Sequence, residues 1–269
     1  HRRLGDFRPD MTDNSEAIHI SNVQVQYKQS EKPTLNIEQL LISQGERIAL
    51  VGSSGSGKTT LLRLINGYLR PKSGSLHILG EEMTARRARR RDLRRRVAFV
   101  FQSFNLVERA SVFENVLWGR LGYVGTLASI VGGFTEEDKQ TALSVIQEVD
   151  LLDQIEQRCD TLSGGQQQRV GIARALAQEP DIILADEPVS SLDPSLADDV
   201  LQLLLNVSVA RSATLLMSLH QPDFARQYAQ RIIGLQTGRI VFDGKSEDLT
   251  DTEVKRIYGQ EPETMSENV

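Results

Sequence analysis

Apolar residues recur along this chain with two alternating periods. IHISNVQVQY (Ile18–Tyr27) interleaves apolar and polar positions as a half-buried strand does, and LNIEQLLIS predicts a second short strand. RIALV (Arg47–Val51) is a continuous apolar run of strand length, which suits a strand covered on both faces. KTTLLRLINGYL then takes up helical spacing, which predicts a helix ending near Pro71. VAFVF (Val97–Phe101), DIILADE and TLLMSLH read as further buried strands. Between them fall helical stretches: TEEDKQTALSVIQEV, SGGQQQRVGIARALAQ, PSLADDVLQLLLNVSV and the short DFARQYAQ. Thr135 with Asp138 comes close to a capping box, and Ser163 is a candidate N-cap with Pro180 past the end of its helix. RIIGLQTGRIVFDG reads as a hairpin turning at Gln236–Gly238. Strands that alternate with helices predict an α/β fold with a parallel sheet. The mainly helical region from about 102 to 176 reads as a subdomain inserted into that core. The expected division is a leader over 1–16, a main domain over 17–250 and a tail over 251–269.

Composition narrows the class. A net charge of −5 argues against nucleic-acid affinity over the whole surface. A lone cysteine, Cys159, permits no internal disulfide and fits a reducing compartment. No window of 18 residues is apolar enough to span a bilayer, and the longest uncharged run, Leu121–Phe134, is shorter than that and rich in glycine. HRRLGDFRPDMTDNSEA lacks the apolar core of a secretory signal and reads as a mobile leader or a cloning remnant, while GQEPETMSENV reads as a loose polar tail. From Arg86 to Arg96 eight of eleven residues are arginine. The run fits a solvated basic helix, a contact with anionic lipid or a partner, or a nucleic-acid site, though no aromatic is interleaved to stack on bases.

The chemistry starts where RIALV ends. GSSGSGKTT matches G-x-x-x-x-G-K-[ST], with Gly52, Gly57, Lys58 and Thr59 at the specified positions. Ser53, Ser54, Gly55 and Ser56 fill the loop, and Thr60 follows. Such a loop turns successive backbone N–H groups onto phosphate oxygens at the positive end of a helix. Lys58 would neutralise the β- and γ-phosphates, and the Thr59 hydroxyl would bind Mg²⁺. A plain glycine-rich turn is the competing account, and the strand before and helix after weigh against it. Asp186, at the end of IILAD, can hold Mg²⁺ through water, and Glu187 can orient the attacking water; an acidic strand end capping the next segment is the bland alternative.

LSGGQ (Leu162–Gln166) narrows the reading further. With the phosphate loop, IILADE, Gln102 in VFQSFNLV, SSLD (Ser190–Asp193) and His220 in SLHQ, the chain resembles the ATP-binding cassette ATPases that drive membrane transporters, over about 18–244. The resemblance implies a phosphate-loop cassette with a parallel-sheet core, an antiparallel β subdomain and an inserted α-helical subdomain. It implies that Tyr27 stacks on adenine, that Lys58 and the loop amides hold phosphates, and that Thr59, Gln102 and Asp186 serve Mg²⁺. Glu187 would be the catalytic carboxylate, His220 would contact the γ-phosphate, and Asp193 would link two sites. Ser163, Gly164, Gly165 and Gln166 would close on the ATP of a second copy, so that two chains packed head-to-tail enclose two ATP. Taken alone, SGG is merely a helix cap and His220 a packed histidine.

The implied partners are membrane-spanning permease subunits and an external solute-binding protein, at the cytoplasmic face of a bacterial inner membrane. FQSFNLVERASVFENVL, GRLGYVGTLASIVGGFTEEDKQTAL and LHQPDFARQYAQRIIGLQTGRIVFDG are similar to the phosphonate importer ATPases, as is Gln221 after the histidine. Ser103 departs from the glutamine frequent in that group. Phosphite and hypophosphite importers would look much the same, and a polar amino acid is the alternative cargo. Leu121–Phe134 would lie against the membrane subunit, or is an ordinary apolar hairpin. Two readings from other classes are a soluble cassette acting on nucleic acid and a nucleotide-switched module with little turnover; Glu187 and His220 speak against the second.

Overall fold

The structure is a computed structural model that describes residues 16–27, 33–84, 91–124 and 133–259. Residues 1–15 of the expected leader, Arg86–Arg90 of the arginine run, 125–132 of the apolar insertion and 260–269 of the tail lie outside the described residues.

Two sheets share the work. β1 (Glu16–Val25), β2 (Leu35–Ser43), β4 (Ser73–Ile78) and β5 (Glu81–Glu82) form an antiparallel sheet in the order β2-β1-β4-β5. The second sheet runs β10-β9-β3-β8-β7-β6, from β3 (Arg47–Val51), β6 (Val97–Val100), β7 (Ile182–Asp186), β8 (Thr214–Ser218), β9 (Arg231–Gln236) and β10 (Arg239–Lys245). Its strands pair in parallel except for the β9–β10 hairpin. The continuous apolar runs follow from this arrangement. Ile48 and Leu50 of β3 face a core shared with the antiparallel sheet and α1 (Lys58–Ile65), whereas Ala49 and Val51 face a second core built with the other helices. Ile182 and Leu184 of β7 divide from Ile183 and Ala185 in the same way. A strand buried on both faces has no use for a polar alternation.

Between β6 and β7 stand α3 (Val112–Leu117), α4 (Glu136–Glu148) and α5 (Gly164–Leu176), after α2 (Arg91–Arg96). Full capping boxes start three of these helices: Ser111 with Glu114, Thr135 with Asp138 and Ser163 with Gln166 begin α3, α4 and α5. Arg120 ties this region to the chain entering β7. It is 4% exposed, donates to Asp138 Oδ1 at 2.9 Å, Glu179 Oε2 at 2.6 Å and the Ala177 carbonyl at 3.0 Å, and lies over the Tyr123 ring. Burial opposes ionisation of Asp138, but the bonds from Arg120 and Thr135 outweigh it and hold the carboxyl below its usual range. α6 (Pro194–Ala210), α7 (Pro222–Tyr228) and α8 (Asp251–Tyr258) complete the fold. Among the described residues no helix is long and apolar enough to cross a membrane.

The structure differs from the sequence reading in three places. α1 ends at Ile65 rather than near Pro71, because Gly67 takes a left-handed conformation (φ 80°) just past the Asn66 cap. β4 and β5 were not expected. The first eight residues of the expected tail are α8, whose Ile257 is fully buried. Its signals were present: a Thr250 cap, Asp251 and Glu253 in the first turn, Lys255 and Arg256 in the last, and Gly259 beyond (φ 74°).

Candidate active site

The phosphate loop leaves β3 directly. Gly52, Gly55 and Gly57 all have positive φ (147°, 77° and 109°). A β-carbon on Gly52 would lie 2.2 Å from the Leu235 carbonyl oxygen of β9 and 2.7 Å from Ser56 Oγ. Glycine is therefore required where the loop crosses the neighbouring strand. Gly57 is the N-cap of α1 and supplies no side-chain cap, so the first N–H groups of that helix have no side-chain acceptor at the cap. Ser56 Oγ is buried without a hydrogen-bond partner among the described residues. Ser53 and Ser54 are exposed at the loop's outer edge, and Thr60 is buried in the first turn. Lys58 is 4% exposed and donates from Nζ to the Gly52 and Ser53 carbonyls at 2.7 and 3.1 Å. Burial lowers its pKa, while Glu187 and Asp186 pull it back up.

The carboxylates arrive from the end of β7, and Ser218 and His220 meet them from the end of β8. Asp186 is buried, and its Oδ1 accepts from Thr59 Oγ1 at 3.0 Å and Ser218 Oγ at 2.9 Å. Ser218 in turn accepts the Glu187 N–H at 2.8 Å. Glu187 has a positive φ of 48°, so the chain turns sharply there and its carboxylate leaves the strand's direction. Its Oε1 meets His220 Nε2 at 2.5 Å. A cavity lined by Glu187, Ser190, Leu192, Ser218, His220 and Phe224 opens beside this pair.

Lys58, Thr59, Asp186, Glu187 and His220, all named from sequence, thus form one connected cluster. Gln102 stands at its margin: its amide donates to Ser190 Oγ at 3.2 Å, and Ser190 Oγ donates to the Glu187 carbonyl at 3.2 Å. Tyr27 is 38% exposed, two residues past β1. The end of β1 lies beside the loop, since Val25 pairs with Leu35, whose side chain would touch a β-carbon on Gly57 at 3.2 Å.

Ser163, Gly164, Gly165 and Gln166 form a separate group at the start of α5. Ser163 Oγ accepts the Gln166 N–H, and Gln166 Oε1 accepts the Ser163 N–H. Gly165 packs on Leu196 of α6, behind Asp193, which caps α6 through the Leu196 N–H at 3.1 Å. Arg174, on the same helix as the glycines, donates to the Phe104 and Asn105 carbonyls at 2.9 and 2.7 Å, in the loop that carries Gln102.

Sequence reasoning missed Ser218 and Arg174. A lone serine closing the apolar strand TLLMS was the available signal for Ser218. Arg174 had none.

Residues 35–190 match a family model described as ABC transporter. A phosphonates import ATP-binding protein, PhnC, of Bacillus thuringiensis subsp. konkukian is 48% identical over 243 residues, covering 90% of this chain and 94% of its own. The protein of that name from Shouchella clausii is 45% identical over 256 residues, covering 94% and 96%. Among solved structures, the dimeric post-hydrolysis state of the ATP-binding cassette MJ0796 bound to ADP and Pi is 33% identical with a TM-score of 0.73, covering 85% of this chain and 98% of that one. The ADP conformation of the cassette MJ1267 is 27% identical with a TM-score of 0.78, covering 91% and 99%. Order of motifs, geometry of the loop and carboxylates, and likeness along nearly the whole length agree: this chain belongs to the ABC transporter family, among its ATP-binding cassettes.

Proposed function

We propose that this chain is the ATP-hydrolysing subunit of an importer for phosphonates or a closely related phosphorus compound. The observation that carries the hydrolytic half is the connected cluster Lys58–Thr59–Asp186–Glu187–His220. The cargo rests on the phosphonate importers that share nearly half of its residues.

ATP is bound by the N–H groups of 52–60, with Lys58 leaving its loop carbonyls for the β- and γ-phosphates. Tyr27 offers its ring to the base. The hydroxyl of Thr59 and the carboxylate of Asp186, 3.0 Å apart, are the hard oxygen donors that suit Mg²⁺. When bound, Mg²⁺ neutralises phosphate charge. Gln102 is engaged with Ser190 and joins that set by releasing it. Glu187 orients a water and takes its proton as the water oxygen bonds to the γ-phosphorus and the bond to the bridging oxygen breaks. His220 holds the Glu187 carboxylate and donates to the γ-phosphate.

The 163–166 group at the start of α5 serves the ATP held by a second copy. Two copies packed head-to-tail in two-fold symmetry make both sites complete, with Asp193 between them. Permease subunits at the inner face of the membrane receive the motion, and an external solute-binding protein delivers cargo.

The test is ATP hydrolysis by this chain assembled with its permease subunits and binding protein. Stimulation by a phosphonate or phosphite, with phosphate and polar amino acids inactive, is the expected result. Stimulation by an amino acid alone would overturn the cargo and leave the ATPase standing.

A further inference from the structure

α8 ends on Tyr258, whose hydroxyl reaches the hydrolytic site from behind. It donates to the His220 carbonyl at 2.8 Å. The fold brings these groups together through strand pairing. Leu50 of β3 lies beside Ser218 of β8, and Leu219 donates to the Leu50 carbonyl at 2.9 Å. Gly52 and His220 follow directly, where the two neighbouring strands end. α8 docks on the third strand, β9, where Gly234 pairs with Val51. A β-carbon on Gly234 would lie 2.6 Å from Ile257 Cδ1, so the glycine makes the notch into which Ile257 fits. Gln236 Nε2 fixes the end of the helix by donating to the Arg256 carbonyl at 3.1 Å.

We infer that Tyr258 is a positioning residue for hydrolysis: its hydroxyl holds the backbone of His220 just past β8, and so sets the histidine's distance from the phosphates. The inference rests on the role proposed above for His220. Tyr258 touches neither reacting atoms nor carboxylate. It acts on the peptide that aims the imidazole at Glu187. Burial raises the phenol's pKa, so the hydroxyl keeps the proton it donates at neutral pH.

The experiment compares full-length Tyr258→Phe, His220→Gln and the double variant in steady-state ATP hydrolysis and thermal unfolding. Tyr258→Phe keeps the ring and removes the hydrogen bond to the His220 carbonyl. Its kcat is expected to fall about three- to ten-fold, the contribution of one neutral hydrogen bond, with KM for ATP within about two-fold and Tm nearly unchanged. On the residual activity of His220→Gln the second substitution is expected to add almost nothing, because the hydroxyl then has no aimed histidine to hold. Wild-type kcat in Tyr258→Phe beside an impaired His220→Gln overturns this inference alone. So does a loss of the same size in both backgrounds, or a loss that tracks a fall in folded protein. Wild-type turnover in His220→Gln overturns the underlying role of the histidine.

Discussion

Two helices of this chain begin with glycines and small hydroxyl residues, and they end up differently. α1 starts at Gly57 with no side-chain cap, a buried lysine as its first residue and two carboxylates from the end of β7 near it. α5 starts at Ser163 with a complete capping box and no charged side chain from 163 to 166. The first terminus leaves its N–H groups to a ligand and gathers the chemistry on one chain. The second satisfies part of its own terminus and brings no charged side chain, which fits the proposal that it serves a phosphate held by a second copy. On the function proposed above, similar composition marks a whole site in one place and half a site in the other.

The largest effect should come from a mixing experiment. Lys58→Met is expected to lose ATP binding and to cut turnover by at least about a hundred-fold. Gly164→Asp should bind ATP with nearly normal affinity yet be equally inactive, since a β-carbon there meets only Leu192 at 3.6 Å and the added charge repels phosphate. Mixed, the two variants should recover turnover that neither has alone, because one partner supplies an intact loop and the other an intact 163–166 group. No recovery at any ratio removes the distinction between whole and half site.

Next comes Glu187→Gln, expected to slow hydrolysis by about 10²–10⁴-fold while ATP still binds and dimers accumulate in sedimentation. Normal turnover in this variant would show that the cluster at α1 does not contain the base.

Stability sharpens the comparison more gently. Gly52→Ala drives a β-carbon into the Leu235 carbonyl and should cost about 3 kcal/mol or more, whereas Gly55→Ala has nothing within 4 Å and should cost only the left-handed strain of about 1 kcal/mol. Ser163→Ala should lose about 1 kcal/mol of cap. Urea denaturation of the three variants ranks them.

The smallest effect is one of pH. Burial lowers the folded-state pKa of Lys58, so its charge costs the folded protein free energy below that pKa. As pH rises through the folded value toward the unfolded value of about 10.4, the cost fades and stability gains. Lys58→Met should be free of this alkaline gain, while Ser163→Ala should keep it. Urea midpoints across the alkaline range decide between them.

How much of this was legible depends on the range of the signal. Gly52–Thr59 and Asp186–Glu187 sit where a strand's apolar run stops, so local pattern located them. His220 and Gln102 are indifferent residues locally and were found only through their place in the order of motifs. α8 was passed over because Val254 and Ile257 are a thin apolar face for so short a helix, although its caps were well marked. Tyr258 reaching His220, and Arg174 reaching the Phe104 carbonyl, span 38 and 70 residues of sequence and leave no period to detect. Gln102 turning to Ser190 is likewise a choice of rotamer, which no spacing encodes.

The tie from Arg174 to Phe104 and Asn105 reaches beyond one chain. It ties the loop that carries Gln102 to the helix that opens with Ser163–Gln166. In the paired arrangement proposed above, that tie would join the loop beside one ATP to the helix tip at the other, so that the two sites would be coupled through Arg174.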